Sequence, residues 1–249
     1  MRNIRLDICY DGTRYNGWQR QTAHDNTIQG KLETALSRIL GEPIEISASG
    51  RTDTGVHARG QVANFHTNTA MDCGALLGEL RKYLPEDIGI YSCREVSPRF
   101  HARLNALEKT YQYRLWNSDR PCVFDRRFVA VMEEELDVQL MQEAAQLLLG
   151  THDFSAFCGN AKMKKSTVRT ITDINIWREG DEVRFLYKGN GFLYHMVRIL
   201  TGTLLCVGTG QIPPEKVKDI LLSKDREQAG FPAPAKGLFL KEVYYEERG

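Results

Sequence analysis

Residues 50–57 read Gly-Arg-Thr-Asp-Thr-Gly-Val-His, which sets Asp53 in a turn bracketed by two glycines, two residues after Arg51 and four before His57. Glycine lets the backbone bend tightly and take φ > 0, which the β-branched Thr52 or Thr54 resists. An aspartate placed there is held at the tip of a rigid loop. A neighbouring guanidinium favours its ionised form and fixes its orientation. The chemistry this permits is that of a poised carboxylate, a nucleophile or a base. The competing reading is a turn aspartate that accepts N–H groups of its own loop.

Other residues could complete a site. Tyr111 lies in Lys109-Thr-Tyr-Gln-Tyr-Arg114, where 109, 111 and 113 share one face of a strand. It can stack on a planar ligand, move a proton through its phenol, or simply be a half-buried sheet aromatic. Arg198 ends Gly191-Phe-Leu-Tyr-His-Met-Val-Arg198, the entry to a helix with an apolar stripe of Met196, Ile199, Leu200, Thr203 and Leu204. Such an arginine either snorkels at the rim of the stripe or pairs with a carboxylate over a cleft. Arg99, His101 and Arg103 alternate, with Phe100 between the first two, and Lys162, Lys164, Lys165 and Arg169 fall in a stretch without acid. Such runs are solvated surface or, with interleaved aromatics, the footprint of RNA backbone and base contacts.

The elements that must position these residues follow from periodicity. Ile4, Leu6 and Ile8 alternate with Arg5, Asp7 and Cys9, marking a strand over residues 4–10. Thr27 caps a helix to about residue 40, ended by Gly41 and Pro43. Strands are expected at 44–47 and 61–66, a helix at 72–84 and a strand at 88–96, giving the β-α-β-β-α-β order of ferredoxin-like units. The second set is a strand at 110–116, a helix at 138–149 capped by Gly150, and a hairpin of 168–177 with 183–187. Helices at 194–207 and 214–222 and a strand at 238–245 follow. The fold class is α+β, with domains 1–104 and 105–249.

Composition limits the function. The 249 residues are 42% hydrophobic, enough for a full core, and the net charge of +1 means that any anion-binding surface is local. The six cysteines form no metal-type or CxxC spacing and read as buried free thiols in a reducing compartment. No Walker A, HExxH, GxSxG or strand-linked GxGxxG pattern occurs, so neither cofactor nor metal is expected. The immediate entry into a strand leaves no visible signal peptide, and no apolar run approaches the ~20 residues of a membrane span. A cytoplasmic protein is expected.

With these residues laid out, the chain resembles the bacterial tRNA pseudouridine synthase A family over essentially its whole length. The matching pieces are Gly50-Arg51-Thr52-Asp53-x-Gly55-Val56-His57-Ala58 with Gly60-Gln61-Val62, Tyr10-Asp11-Gly12, Gly17-Trp18-Gln19, Thr27-Ile28-Gln29-Gly30, Lys109-Thr110-Tyr111, His152-Asp153-Phe154, Met196-Val197-Arg198 and Ala233-Pro234-Ala235-x-Gly237-Leu238. Two positions depart from the pattern: Phe231-Pro232, where Pro-Thr is more usual, and Thr54, where Ala is common. The resemblance implies isomerisation of uridine to pseudouridine at positions 38, 39 and 40 of the tRNA anticodon arm, without metal or cofactor, by a homodimer. It also implies the pseudouridine synthase fold, two α+β halves with mainly antiparallel sheets joined around an RNA-binding cleft.

Carried onto this chain, the resemblance makes Asp53 the nucleophile and Arg198, ahead of Arg51, its ion-pair partner. Tyr111 supports the flipped base and is the positional candidate for removing the C5 proton. Arg51, His57, Gln61 and Leu238 join Tyr111 in binding the substrate, and the basic clusters hold the RNA backbone. Attack at C1′, a glycal formed by deprotonating C2′, and attack at C6 all remain open. Two rival readings are a non-catalytic tRNA-binding or RNA-folding module and an N-glycoside hydrolase, which would need a second carboxylate to activate water.

Overall fold

A computed structural model describes residues 1–21, 26–160 and 162–246. The chain divides into two compact units, Met1–Leu107 with Phe239–Gly249, and Glu108–Leu238.

In the first unit β1 (Arg2–Tyr10) buries Ile4, Leu6, Ile8 and Tyr10 and turns Arg5, Asp7 and Cys9 to a half-buried face, as its alternation requires. Helix α1 (Ile28–Leu40) starts where the Thr27 hydroxyl accepts from Gly30 N–H and stops at Gly41 in the left-handed region. The expected strand at 44–47 shrinks to β2 (Ser47–Ala48). Ile44 N–H donates instead to the Ser37 hydroxyl (2.9 Å), and Ile46 N–H to the buried Glu33 carboxylate of α1 (3.1 Å). These side-chain bonds satisfy backbone that no strand pairs. Strand β3 (His57–Thr67) begins four residues earlier than expected. Helix α2 (Cys73–Tyr83), capped by Asp72, and β4 (Ile88–Val96) complete the ferredoxin-like order. β1 pairs antiparallel with both β4 and β3.

In the second unit β5 (Glu108–Trp116) carries the two-residue β6 (Ala130–Val131) in parallel on one edge. Helix α3 (Val138–Gln146) ends short of the expected residue 149. Gly150 (φ 100°) does not cap it but opens an unexpected strand, β7 (Gly150–Asp153). β8 (Val168–Glu179) and β9 (Glu182–Gly189) form the expected hairpin through Gly180 (φ 59°), and the sheet runs β5-β9-β8-β7, all antiparallel. The apolar α4 (Met196–Gly208) packs on α3, and α5 (Lys216–Ser223) follows. β10 (Leu238–Tyr244) then returns the chain to the first unit, where Phe239 and Leu240 pair in parallel with His57 and Ala58 of β3.

The structure is thus α+β with mainly antiparallel sheets, as expected. Of the six free cysteines only Cys158 is fully buried; the other five are half-buried, Cys9 and Cys93 on strands, Cys73 and Cys206 on helices and Cys122 in the segment between β5 and β6. Among the described residues no helix is long and apolar enough to cross a membrane.

Candidate active site

Asp53 stands at the first position of a four-residue turn closed by Val56 N–H donating to Asp53 O (3.1 Å). Gly55 occupies the third position at φ 75°, the place where a type II turn demands glycine. Asp53 is half-exposed, Arg51 and Thr54 are exposed, and Thr52 and Val56 are buried. The loop is thus anchored in the unit at Thr52 and Val56, on either side of Asp53.

Segment 10–18 forms the bed of this loop. The Tyr10 hydroxyl meets the Thr52 hydroxyl at 2.8 Å, Trp18 N–H donates to Thr52 O (3.0 Å), and Gly55 N–H donates to Tyr15 O (3.4 Å). Two glycines permit the approach. A Cβ on Gly12 would lie 2.0 Å from Val56 O, and one on Gly17, at φ 78°, 2.7 Å from Thr52 O. The bed is pinned in turn by Asp87. Its carboxylate accepts from the Tyr15 hydroxyl (2.5 Å) and from Arg14 Nη2 (2.6 Å) and Nε (3.0 Å), while Asp11 N–H donates to its backbone oxygen (3.0 Å). Burial pushes the Asp87 carboxyl up, but Tyr15 and Arg14 outweigh it and hold the group below the usual carboxylate range.

His57 and Gln61, expected at the substrate, are 1% and 0% exposed. The His57 ring stacks on Phe239 of β10 (centroids 4.8 Å apart), and its Nδ1 accepts from Gly12 N–H (3.0 Å). Asp11 Oδ1 lies 3.2 Å from the same atom and accepts from Thr13 N–H (2.9 Å) and the Thr13 hydroxyl (2.5 Å). Gln61 accepts from the Ser49 hydroxyl (2.6 Å) and donates to Gly50 O (3.0 Å), fixing the strand that leads into the loop.

The second unit holds Tyr111 and Arg198. Tyr111 is 8% exposed on β5, opposite Tyr187 of β9, and meets Phe192 edge-on with centroids 5.1 Å apart. Its strand neighbour Tyr113 is fully buried and donates to Pro234 O (2.9 Å). Arg198 lies in the first turn of α4. Its Nε donates to Ala233 O (2.7 Å), and its backbone oxygen accepts from Ala233 N–H (2.9 Å). Burial raises the Tyr113 phenol, with Arg198 opposing and Tyr187 adding to it. The unit therefore gathers three of the matching sequence pieces, 109–111, 196–198 and 233–238, around one end of α4. At the departure Phe231 the backbone oxygen approaches Gly202, where a Cβ would lie 1.8 Å away, and the residue is 45% exposed. Leu238 is buried at the start of β10.

His195, the residue before α4, adopts φ 59°, ψ 3° and stacks on Tyr194 (3.7 Å between centroids). A non-glycine residue there stores strain of ~1–3 kcal/mol, which collects at functional sites. Nothing in the residue pattern singles out His195, and the same holds for Tyr15 and Asp87. The flanking pieces Tyr10-Asp11-Gly12 and Gly17-Trp18-Gln19 do point to the bed, but no sequence signal points to Asp87. Of the basic residues, Arg99, Arg103, Lys162, Lys164 and Lys165 are exposed. Arg169 is half-buried and donates to Ser166 O (3.0 Å) and Val168 O (2.6 Å). Among the described residues no group of three or more His, Cys, Asp or Glu is arranged to hold a metal ion.

Residues 8–105 and 144–246 match the family described as tRNA pseudouridine synthase. Similar proteins include tRNA pseudouridine synthase A of Acetivibrio thermocellus, 46% identical over 98% of this chain and 100% of that protein. Another is tRNA pseudouridine synthase A 2 of Clostridium perfringens, 45% identical over the same shares. The tRNA pseudouridine synthase A of Bacillus sp. strain KSM-64 is 46% identical, again over 98% of this chain and 100% of that protein. A solved Cbf5-Nop10-Gar1 complex aligns over 81% of this chain and 45% of that chain, at TM-score 0.34 and 15% identity, too loosely to carry an argument. The family match and its full-length relatives together place this chain in the tRNA pseudouridine synthase family.

Proposed function

We propose that this chain isomerises uridine to pseudouridine at positions 38, 39 and 40 of the tRNA anticodon arm, with Asp53 as the nucleophile. The observation that carries the reading is the loop itself. Its backbone is held by Tyr15, Trp18 and the Asp53–Val56 turn, while the Asp53 side chain stays half-exposed. A carboxylate that does not have to reorganise during reaction is what displacement at a sugar carbon asks for.

In the reaction the N1–C1′ bond breaks, the uracil turns in place, C5 bonds to C1′, the C5 proton leaves and N1 takes one up. The uridine must first leave its stack, at a cost of a few kcal/mol. Tyr111 is proposed to support the extruded base, and Arg198 to supply the cation that keeps Asp53 ionised. Arg51, exposed beside Asp53, is proposed to meet the RNA, together with Arg99, Arg103, Lys162, Lys164, Lys165 and Arg169 along the backbone. His57 and Gln61 are assigned to holding the loop, since His57 Nδ1 and both polar side-chain atoms of Gln61 are engaged there. A homodimer sharing each tRNA, working in the cytoplasm, completes the proposal.

The test is to incubate the protein with an unmodified tRNA transcript and map pseudouridine by carbodiimide-blocked primer extension. Stops at 38, 39 or 40 in suitable tRNAs are expected. Binding without stops would favour a non-catalytic RNA module, and release of free uracil a hydrolase.

A further inference from the structure

On the first unit, α1, α2 and the residues before α1 enclose an open groove of about 400 Å³. Lys31, Thr34 and Arg38 line it from α1, spaced three and four residues apart and so on one helix face. Arg38 lies over the ring of Tyr83, at the end of α2, with its guanidinium 4.9 Å from the centroid. Arg20 forms the remaining wall, and among the described residues no carboxylate lines the groove. Arg20 does reach Glu33 at 3.4 Å, but that carboxylate is buried and also serves Gln29 Nε2 (2.8 Å) and Ile46 N–H (3.1 Å). Among the described residues Lys31 and Arg38 have no ion-pair partner. In a chain of net charge +1, three cations around one groove are a local excess.

The groove is also tied to the Asp53 loop. Arg20 N–H donates to Gln29 Oε1 of α1 (3.0 Å), and Trp18, two residues earlier, donates its backbone N–H to Thr52 O beside Asp53. We propose that this groove binds backbone phosphates of the RNA whose uridine Asp53 attacks, so that a strand entering the loop is gripped along α1. The proposal rests on the pseudouridine synthase reading for the identity of that RNA. The donor set suits a phosphate: Arg offers a planar fork, stacked here so that less freedom is lost on binding, and Lys a point charge.

The test measures tRNA binding by the full-length protein from 50 to 200 mM KCl, by filter retention of an unmodified transcript. Each lost phosphate contact lowers the slope of log K against log salt by about 0.7–0.9. The double variant K31Q/R38Q is expected to bind more weakly at 50 mM and to lose about 1.4–1.8 from the slope. T34E, which places a carboxylate in the groove on an exposed helix position, is expected to weaken binding in the same direction. Both should melt within a few degrees of the wild type by circular dichroism. An unchanged slope in folded K31Q/R38Q overturns the proposal. So does an altered molecular mass by light scattering with the slope retained, since the groove would then join copies of the chain. The parallel wild-type assay for pseudouridine separates the two claims: if the wild type binds tRNA through this groove but forms none, the catalytic reading fails on its own.

Discussion

Replacing Gly12 with alanine tests whether the bed under the Asp53 loop sets catalysis. The added methyl would sit 2.0 Å from Val56 O and 2.7 Å from Val56 C, both backbone atoms. Cβ contacts under 3.0 Å are essentially never seen, so Val56 O must retreat by about 1 Å or the 12–14 turn must shift by as much. Val56 closes the turn that Asp53 opens, so the carboxylate moves with it. A misplacement of ~1 Å at a reacting group costs about 10²-fold in rate. Overpacking of this kind also removes about 1–3 kcal/mol of stability. The expectation for G12A is therefore a single-turnover rate of pseudouridine formation lower by about 10²-fold, with tRNA affinity held within a few-fold. G41A is the control. Gly41 has φ 70°, and a Cβ added there would meet nothing within 4 Å, so the change costs ~1–2 kcal/mol of backbone energy without touching the loop. Its rate should match the wild type at temperatures where both are folded. A G12A rate equal to that of G41A would show that the bed does not set the position of Asp53.

Asp87→Asn removes the charge that holds Tyr15 and Arg14, and hydrogen bonds to charged groups contribute about 1.5–3 kcal/mol. The expected result is a lower melting temperature together with a slower single-turnover rate, while tRNA retention on filters stays near wild type. In the second unit the Asp153 carboxyl is lowered to about 2, first by the Thr167 hydroxyl (2.5 Å) and then by Lys224 (3.2 Å) and Ser155 N–H (3.1 Å), with burial opposing. Its folded value lies below the unfolded value of about 3.9, so the stability it contributes is full above pH ~4 and is lost as pH falls through about 2. Urea unfolding of wild type and D153N should therefore differ at pH 6 and converge at the acid end; a constant gap would contradict the assignment.

Long periodic elements are legible in the sequence. The stripe of β1 and the Thr27-to-Gly41 frame of α1 each carry a local signal that the structure uses directly. What escapes is set by partners distant in sequence. Ile44 and Ile46 look like strand residues, but their N–H groups go to Ser37 and Glu33 of a helix. Gly150 carries the residue type of a helix cap and in fact starts β7. The parallel pairing of β10 with β3 has no sequence signature, since alternation does not name a neighbour. The Asp53 loop is legible because glycine and turn chemistry are local. The support from Asp87, seventy-two residues beyond Tyr15, is not. The burial of His57 and Gln61, 1% and 0% exposed, is likewise not legible from polar residue types beside a glycine-bracketed turn.

Asp53 as nucleophile is tested most directly by tritium release from tRNA carrying 5-tritiated uridine, with wild type and Asp53→Asn compared under single-turnover conditions. Wild type should release tritium with formation of pseudouridine, while Asp53→Asn should release none yet bind the same tRNA within a few-fold. Turnover by Asp53→Asn would contradict the nucleophile assignment.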